Sequence, residues 1–246
     1  MNDELREMLK YLRLRGLLCD WEQTLTRARK GRFSHARLLN EVVEQEYKLK
    51  RENARQYRLR RAHIPEELVM ETYPFAKQPK LNRKAILSIY DAFDYMANAQ
   101  NIIWVGPTGC GKTGLATAFL IDAINRGYSG RFVTFAELVG ELRASGADYS
   151  QTKVLKQYLR CDCLLIDEIG YVEVEAAQVG LFFTLMQQRH RKRPTLITSN
   201  LGFSDWRSFL KNDQLTAALI DRLTENSHVI NMKNCRSLRP KLAATP

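Results

Sequence analysis

Gly106-Pro107-Thr108-Gly109-Cys110-Gly111-Lys112-Thr113 is the stretch whose reading decides the fold. It meets the pattern G-x-x-x-x-G-K-[ST] in full, after the apolar run NIIWV (101–105) and before a segment with helical spacing. Glycines let successive backbone N–H groups turn inward around phosphate oxygens, and the N-terminus of the following helix adds a favourable dipole. Gly106, Pro107, Thr108, Gly109, Cys110, Gly111, Lys112, Thr113 and Gly114 are therefore the expected nucleotide cradle. Within it, Lys112 is expected to reach the β- and γ-phosphates of ATP, and the Thr113 hydroxyl to ligate Mg²⁺.

Four further apolar runs follow: RFVTF (131–135), CLLID (163–167), TLITS (195–199) and HVINM (228–232). Their unbroken apolar character suits parallel strands buried on both faces. A helix fits between successive runs, which predicts an α/β fold with repeated βα units in an open, doubly wound, five-stranded parallel sheet. Such sheets bind ligands at the carboxyl ends of their strands, so the residues that end the runs carry the chemistry. The third run ends in Asp167-Glu168. Asp167 is expected to hold Mg²⁺, directly or through water, and Glu168 to polarise the attacking water. A strand-end Asp-Glu pair is also compatible with a solvated turn, but the P-loop upstream favours the catalytic reading. The fourth run ends in T-S-N, where the Asn200 amide could hydrogen-bond the γ-phosphate or the lytic water. Asparagine is also a common turn residue.

The order of P-loop, Walker B with D-E, a T-S-N sensor and then A-A-L-I-D-R-L resembles the AAA+ ATPases of the initiator and helicase-loader clade. More narrowly, LLIDEIGY (164–171), TLITSN (195–200), Phe203-x-x-Trp206 and TAALIDRL (216–223) resemble the IstB-like ATP-binding proteins, helpers of insertion-sequence transposition. The resemblance covers nearly the whole chain and extends to EYKLKRENARQYRLRRAHIP in the N-terminal region. It implies an AAA+ P-loop NTPase that forms a ring or helical oligomer with active sites between subunits. Arg222 would then be an arginine finger offered to a neighbour's ATP; its plain alternative is a surface arginine on an amphipathic helix. Three motifs depart from the family. Gly114 stands where histidine is frequent, Arg189-His190-Arg191 replaces R-Y-E, and Ser237-Leu238-Arg239 replaces S-Y-R. The last leaves a sensor role for Arg239 open. The short stretch after Met232 leaves no room for a helical lid domain, so closure over nucleotide is expected to rely on neighbouring subunits.

Upstream of the P-loop, Leu5, Met8, Leu9 and Leu12 recur at helical spacing, and Leu17, Trp21 and Leu25 suggest a second helix. Ser34 is a plausible N-cap for a long third helix that buries Leu38, Leu39, Val42 and Val43. That helix turns basic from Lys48 to Arg61. Lys48, Arg51, Arg55 and Arg58 align on one face, and Lys50, Arg60 and Arg61 widen the stripe. Residues 1–62 are thus expected to be a small, all-α, basic, DNA-binding domain. Residues 63–98, punctuated by Pro65, Pro74 and Pro79, form a linker with an entry helix from Asn82 to Met96, and residues 99–246 form the ATPase domain.

Charge supports the division. Residues 1–61 carry 16 Lys/Arg against 9 Asp/Glu, most of the +11 net charge of the whole chain. Such a stripe mainly touches phosphates, which predicts weakly sequence-specific, salt-dependent binding through Lys48, Arg51, Arg55, Arg58 and Arg61. Arg143, Lys153, Lys156 and Arg160 are a second candidate surface. No run approaches the ~18 apolar residues of a membrane span, and the N-terminus lacks a signal-peptide pattern, so the expected compartment is the cytoplasm. Five cysteines without a C-x-x-C pair point to reduced thiols and against a zinc site.

Together with the motifs and the basic helix, the resemblance implies an ATP- and Mg²⁺-dependent ATPase expected to assemble on duplex DNA and hand a target site to a cognate transposase, with hydrolysis driving disassembly. A DnaC-like helicase loader is the nearest alternative. A small-molecule P-loop kinase and a DNA-binding scaffold that uses ATP only structurally are the others.

Overall fold

A computed structural model describes residues 1–144, 149–171 and 174–239. The five apolar runs form five parallel strands: β1 (Asn101–Val105), β2 (Gly130–Thr134), β3 (Cys163–Ile169), β4 (Thr195–Ser199) and β5 (Ser227–Asn231). Their order across the sheet is β2-β3-β4-β1-β5. The central strands β1, β3 and β4 are buried almost throughout, as unbroken apolar runs require when helices cover both faces. The fifth run departs from that expectation. As an edge strand β5 is only half-covered, and Val229 is 47% exposed.

Helices fill the intervals: α6 (Lys112–Asn125), α7 (Phe135–Ala144), α8 (Tyr149–Arg160), α9 (Ala176–Arg189), α10 (Trp206–Leu210) and α11 (Asp213–Thr224). They produce two cores. One joins α6 to Trp104, Tyr95 and Ile86, and the other joins α7, α9 and α11 to Ile103, Ile166 and Ile197. The α6 side also receives the entry segment. The single helix expected from Asn82 to Met96 is broken into α4 (Arg83–Ala92) and α5 (Asp94–Ala97). Phe93 breaks it by adopting left-handed backbone at φ 59°. The turn delivers Tyr95 into the core, where its hydroxyl donates to the Phe119 carbonyl at 3.1 Å.

Residue contacts divide the chain into two compact units, Met1–Tyr57 and Arg58–Pro246. The first contains α1 (Asp3–Tyr11), α2 (Arg15–Lys30) and most of α3 (His35–Ala62). Ser34 caps α3 as expected, its hydroxyl accepting from the Arg37 amide at 3.3 Å. The expected inner face of α3 needs correction. Leu38 and Val42 are half-buried, whereas Leu39 and Val43 are each 65% exposed. A run of L-L-x-x-V-V spans more of the helix circumference than two short helices can cover. The inward row continues instead to Glu46, which is buried and accepts from the Leu17 amide at 2.7 Å in the first turn of α2. A carboxylate there meets unpaired N–H groups and the positive end of the helix dipole.

Candidate functional site

β1 ends at Val105, and the chain must turn sharply to start α6 seven residues later. Gly109 (φ 79°) and Gly111 (φ 91°) take the left-handed conformations that this turn needs. Gly106 has a different reason: a Cβ there would lie 2.8 Å from Met232 backbone atoms. The resulting loop borders a cleft of about 700 Å³. Lys112 is buried and donates to the carbonyls of Gly106 (2.7 Å) and Pro107 (2.8 Å), so its ammonium sits within the loop itself. Burial lowers the Lys112 pKa, as expected for a cation removed from water.

Opposite Lys112 stands the end of β3. The Thr113 hydroxyl lies 3.0 and 3.1 Å from the two oxygens of Asp167, and the Thr198 hydroxyl donates to Asp167 Oδ1 at 2.5 Å. Asp167 is 4% exposed, and desolvation raises its pKa against these hydrogen bonds. The pairing of β3 with β4 shifts register between Ile166 and Ile169, and Glu168 within that irregularity has φ 63°. This bulge turns the exposed Glu168 side chain toward the cleft, while its amide donates to Thr198 Oγ1 at 2.9 Å. Thr198 therefore ties both acidic residues to β4.

The other expected residues stand further off. Asn200 is not part of the cleft lining; its Oδ1 is buried beside Gly170 without a hydrogen-bond partner among the described residues. Arg222 lies on α11, donates to the Ala218 carbonyl at 2.9 Å and stacks over the Phe183 ring at 4.9 Å. It is also absent from the lining of its own chain's cleft. Arg189, in the altered R-Y-E triplet, is 1% exposed and binds the carbonyls of Tyr158, Cys161 and Pro194. It is a structural brace at the end of α9.

Glu66 and Leu68 line the cleft from the entry segment, which carries no motif that would mark them. Tyr171, which ends the LLIDEIGY motif, lines it from beyond β3, and the sequence assigns it no site role. The Tyr171 and Thr108 hydroxyls lie 2.9 Å apart across the mouth. At Gly114 a Cβ would meet the Leu68 side chain at an ordinary contact distance of 3.4 Å, so nothing in the structure explains the glycine there. Among the described residues no helix follows β5. Residues 232–239 return across the P-loop instead, the Leu238 amide donating to the Gly109 carbonyl at 2.8 Å.

The donor set suits a hard divalent cation. Thr113 and Asp167 supply one hydroxyl and one buried carboxylate beside a phosphate cradle, which matches the oxygen ligation and open positions of phosphate-bound Mg²⁺. Cys19, Cys110, Cys161, Cys163 and Cys235 are free thiols, and no cluster of three His, Cys, Asp or Glu exists among the described residues.

Along α3, Lys48 pairs with Glu44 at 3.4 Å, and Arg55 with Glu52 at 2.7 Å. Arg55 holds the Glu52 pKa down at about 2. Arg51 and Arg61 are exposed, and Arg58 is half-buried, its Nε without a hydrogen-bond partner among the described residues. Of the second basic surface, Arg143 pairs with Glu175 at 2.9 Å, and Lys153, Lys156 and Arg160 are exposed. No described helix is long and apolar enough to cross a membrane.

Known proteins place this architecture. The crystal structure of the DnaC helicase loader superposes with a TM-score of 0.53 at 23% identity, over 61% of this chain and 87% of that one. AMPPCP-bound DnaA from Aquifex aeolicus superposes with a TM-score of 0.57 at 18% identity, over 70% of this chain and 53% of that one. The fold is thus that of AAA+ proteins. In sequence, the chain is 29% identical to the protein of Pseudomonas aeruginosa described as an ATP-binding protein of insertion sequence IS21, over 94% of this chain and 86% of that one. It is 27% identical to the corresponding protein of insertion sequence IS5376 from Geobacillus stearothermophilus, over 95% and 92%. The family model for IstB-like ATP binding proteins matches residues 7–244, and the chain belongs to that family.

Proposed function

We propose that this chain is a Mg²⁺-dependent ATPase of an insertion sequence that assembles on duplex DNA in its ATP form and engages the element's transposase. The observation that carries the reading is the meeting of Lys112, Thr113, Asp167 and Glu168 around one cleft. In this reading the P-loop N–H groups and Lys112 hold the phosphates, and Thr113 and Asp167 hold Mg²⁺, which would neutralise charge on the phosphate oxygens. Glu168, exposed at the cleft, orients the lytic water and takes its proton. Asn200 reports on the phosphate state through the β3–β4 edge. Its buried, unpartnered Oδ1 is an acceptor available to a donor brought by rearrangement. Arg222 serves a neighbouring subunit's site, since its side chain is engaged on α11 and α9, away from its own cleft.

The basic face of α3, through Lys48, Arg51, Arg55, Arg58 and Arg61, contacts DNA phosphates. The insertion-sequence relatives supply the link to transposition. Imaging of the protein on duplex DNA with ATP, ADP or no nucleotide tests the reading. Oligomers on duplex only with ATP support it; nucleotide-independent coating refutes the switch. Preference for single-stranded DNA and a replicative helicase would instead favour the loader role, which the DnaC fold relationship alone keeps in view.

A further inference from the structure

A primary amide survives in a core when both of its ends find partners. Gln78, in the entry segment, is 2% exposed and meets that condition by bridging two distant pieces of chain. Its Nε2 donates to the Cys110 carbonyl at 3.2 Å and to the Arg236 carbonyl at 2.6 Å, and its Oε1 accepts from the Arg236 amide at 2.9 Å. The Tyr73 hydroxyl adds a second donor to the Cys110 carbonyl at 3.1 Å.

The consequence for the P-loop follows from peptide geometry. In a trans peptide the carbonyl and the next N–H point in opposite directions. Holding the Cys110 carbonyl toward Tyr73 and Gln78 therefore sends the Gly111 N–H the other way, to the side of the cleft that Gly109, Gly111 and Lys112 line. The freedom of two left-handed glycines lets this loop curl, and it also lets the peptide rotate unless something holds it. At its other end, Gln78 grips Arg236 in the returning strap. Leu238 is bonded to Gly109, the Ser237 hydroxyl would be 2.7 Å from a Cβ on Gly109, and Arg239 lines the cleft.

We propose that Gln78 is a positioning residue of the nucleotide site: one buried amide fixes the Cys110–Gly111 peptide for phosphate binding and pins the 232–239 strap so that Arg239 faces the phosphates of a nucleoside triphosphate. This rests on the ATP-binding reading and gives the returning strap a part in closure, where the sequence put more weight on neighbouring subunits and left the role of Arg239 open. Entry segment, P-loop and tail then act as one unit, and the ligand class is nucleoside di- and triphosphates over monophosphates.

The experiment measures equilibrium binding of fluorescent ATP, ADP and AMP to the full chain, with melting temperatures, for Gln78→Met, Gln78→Glu, Arg239→Ala and the Gln78→Met/Arg239→Ala pair. Gln78→Met keeps length and removes all three hydrogen bonds. It should weaken ATP about tenfold, and Arg239→Ala should do likewise, with AMP little changed. The double variant should lose clearly less than the product of the single losses, as coupled residues do. Losses that multiply, or equal losses for all three nucleotides, would mean that Gln78 is structural only and overturn the proposal. Should Gln78→Met not fold, Gln78→Glu retains the acceptor, and the exposed Arg239→Ala still decides: ATP binding unchanged there overturns the strap's role. Absence of turnover in the unaltered protein would sink the ATPase reading without touching this one, because the readout is binding.

Discussion

The Thr113 hydroxyl stands 3.0 Å from Oδ1 and 3.1 Å from Oδ2 of Asp167, joining the first turn of α6 to the irregular end of β3. The contact brings P-loop and acidic strand end into one chemical unit. Asp167 is buried, so its charge is costly until a cation arrives, and its pKa is raised accordingly. Asp167→Asn should therefore melt at least as high as the native chain without nucleotide, yet gain nothing from Mg²⁺ and lose turnover. Thermal shifts with ATP, with and without Mg²⁺, check this; continued Mg²⁺ stabilisation in the variant would remove Asp167 from the metal site.

Glu168 occupies left-handed backbone and leaves its side chain in the cleft. Its replacement by glutamine preserves shape and removes the carboxylate proposed as the base. Turnover should fall by ~10²-fold or more while ATP affinity stays within about twofold. Single-turnover hydrolysis and equilibrium binding separate the two, and an unimpaired rate would transfer the base to another group.

Arg222 is held by Ala218 and Phe183 on its own subunit. An arginine that works in trans gives a distinctive result in mixtures. Arg222→Ala and Lys112→Ala should each be inactive alone, the first from a loss of ~10³-fold in rate. Mixed on duplex DNA, they should regain partial activity where an intact Arg222 meets an intact Lys112. No recovery at any ratio would count against a shared site.

On α3, ion pairing ranks the basic residues. Lys48 and Arg55 already have carboxylate neighbours, whereas Arg51 forms no ion pair among the described residues. Arg51→Gln should lower the slope of log affinity against log salt by about 1, and Lys48→Gln by less. Filter binding on duplex DNA over a salt series measures both. Equal, negligible effects would move the DNA surface elsewhere, with the exposed Lys153, Lys156 and Arg160 next in line.

His228 on β5 is partly buried, and desolvation lowers its pKa below the usual 6.5. The sign is that of a depressed group: the neutral ring is favoured in the fold. Its contribution is present above the unfolded-state pKa and declines as pH falls through the folded value. Melting temperatures from pH 7.5 to 5 should drop less for His228→Gln than for the native chain. Parallel curves would assign the acid sensitivity to other groups.

Much of the site was legible because the P-loop and the strand-end acids depend on local spacing. Gly106, Gly111, Lys112 and Thr113 at motif spacing after one apolar run, and Asp167 at the end of another, mark a P-loop and a strand-end carboxylate without any knowledge of the fold. Phe93 was not legible in the same way. Its helical pattern is intact, and only the demand for Tyr95 in the core breaks the helix there. Leu39 and Val43 similarly satisfied a helical pattern that the small N-terminal unit had no surface to cover.

By itself, the sequence determined the α/β class, the strand positions, the family and the location of the P-loop, because each is encoded in short-range periodicity or in a contiguous motif. Only the tertiary structure decided that Thr198 joins Asp167 to Glu168, that Asn200 lies outside the cleft lining, and that Gln78 links Cys110 to Arg236. Those relationships join residues 30 to 158 positions apart. They arise where buried polar groups must find partners, a requirement that the folded chain satisfies in space and that sequence spacing does not reveal.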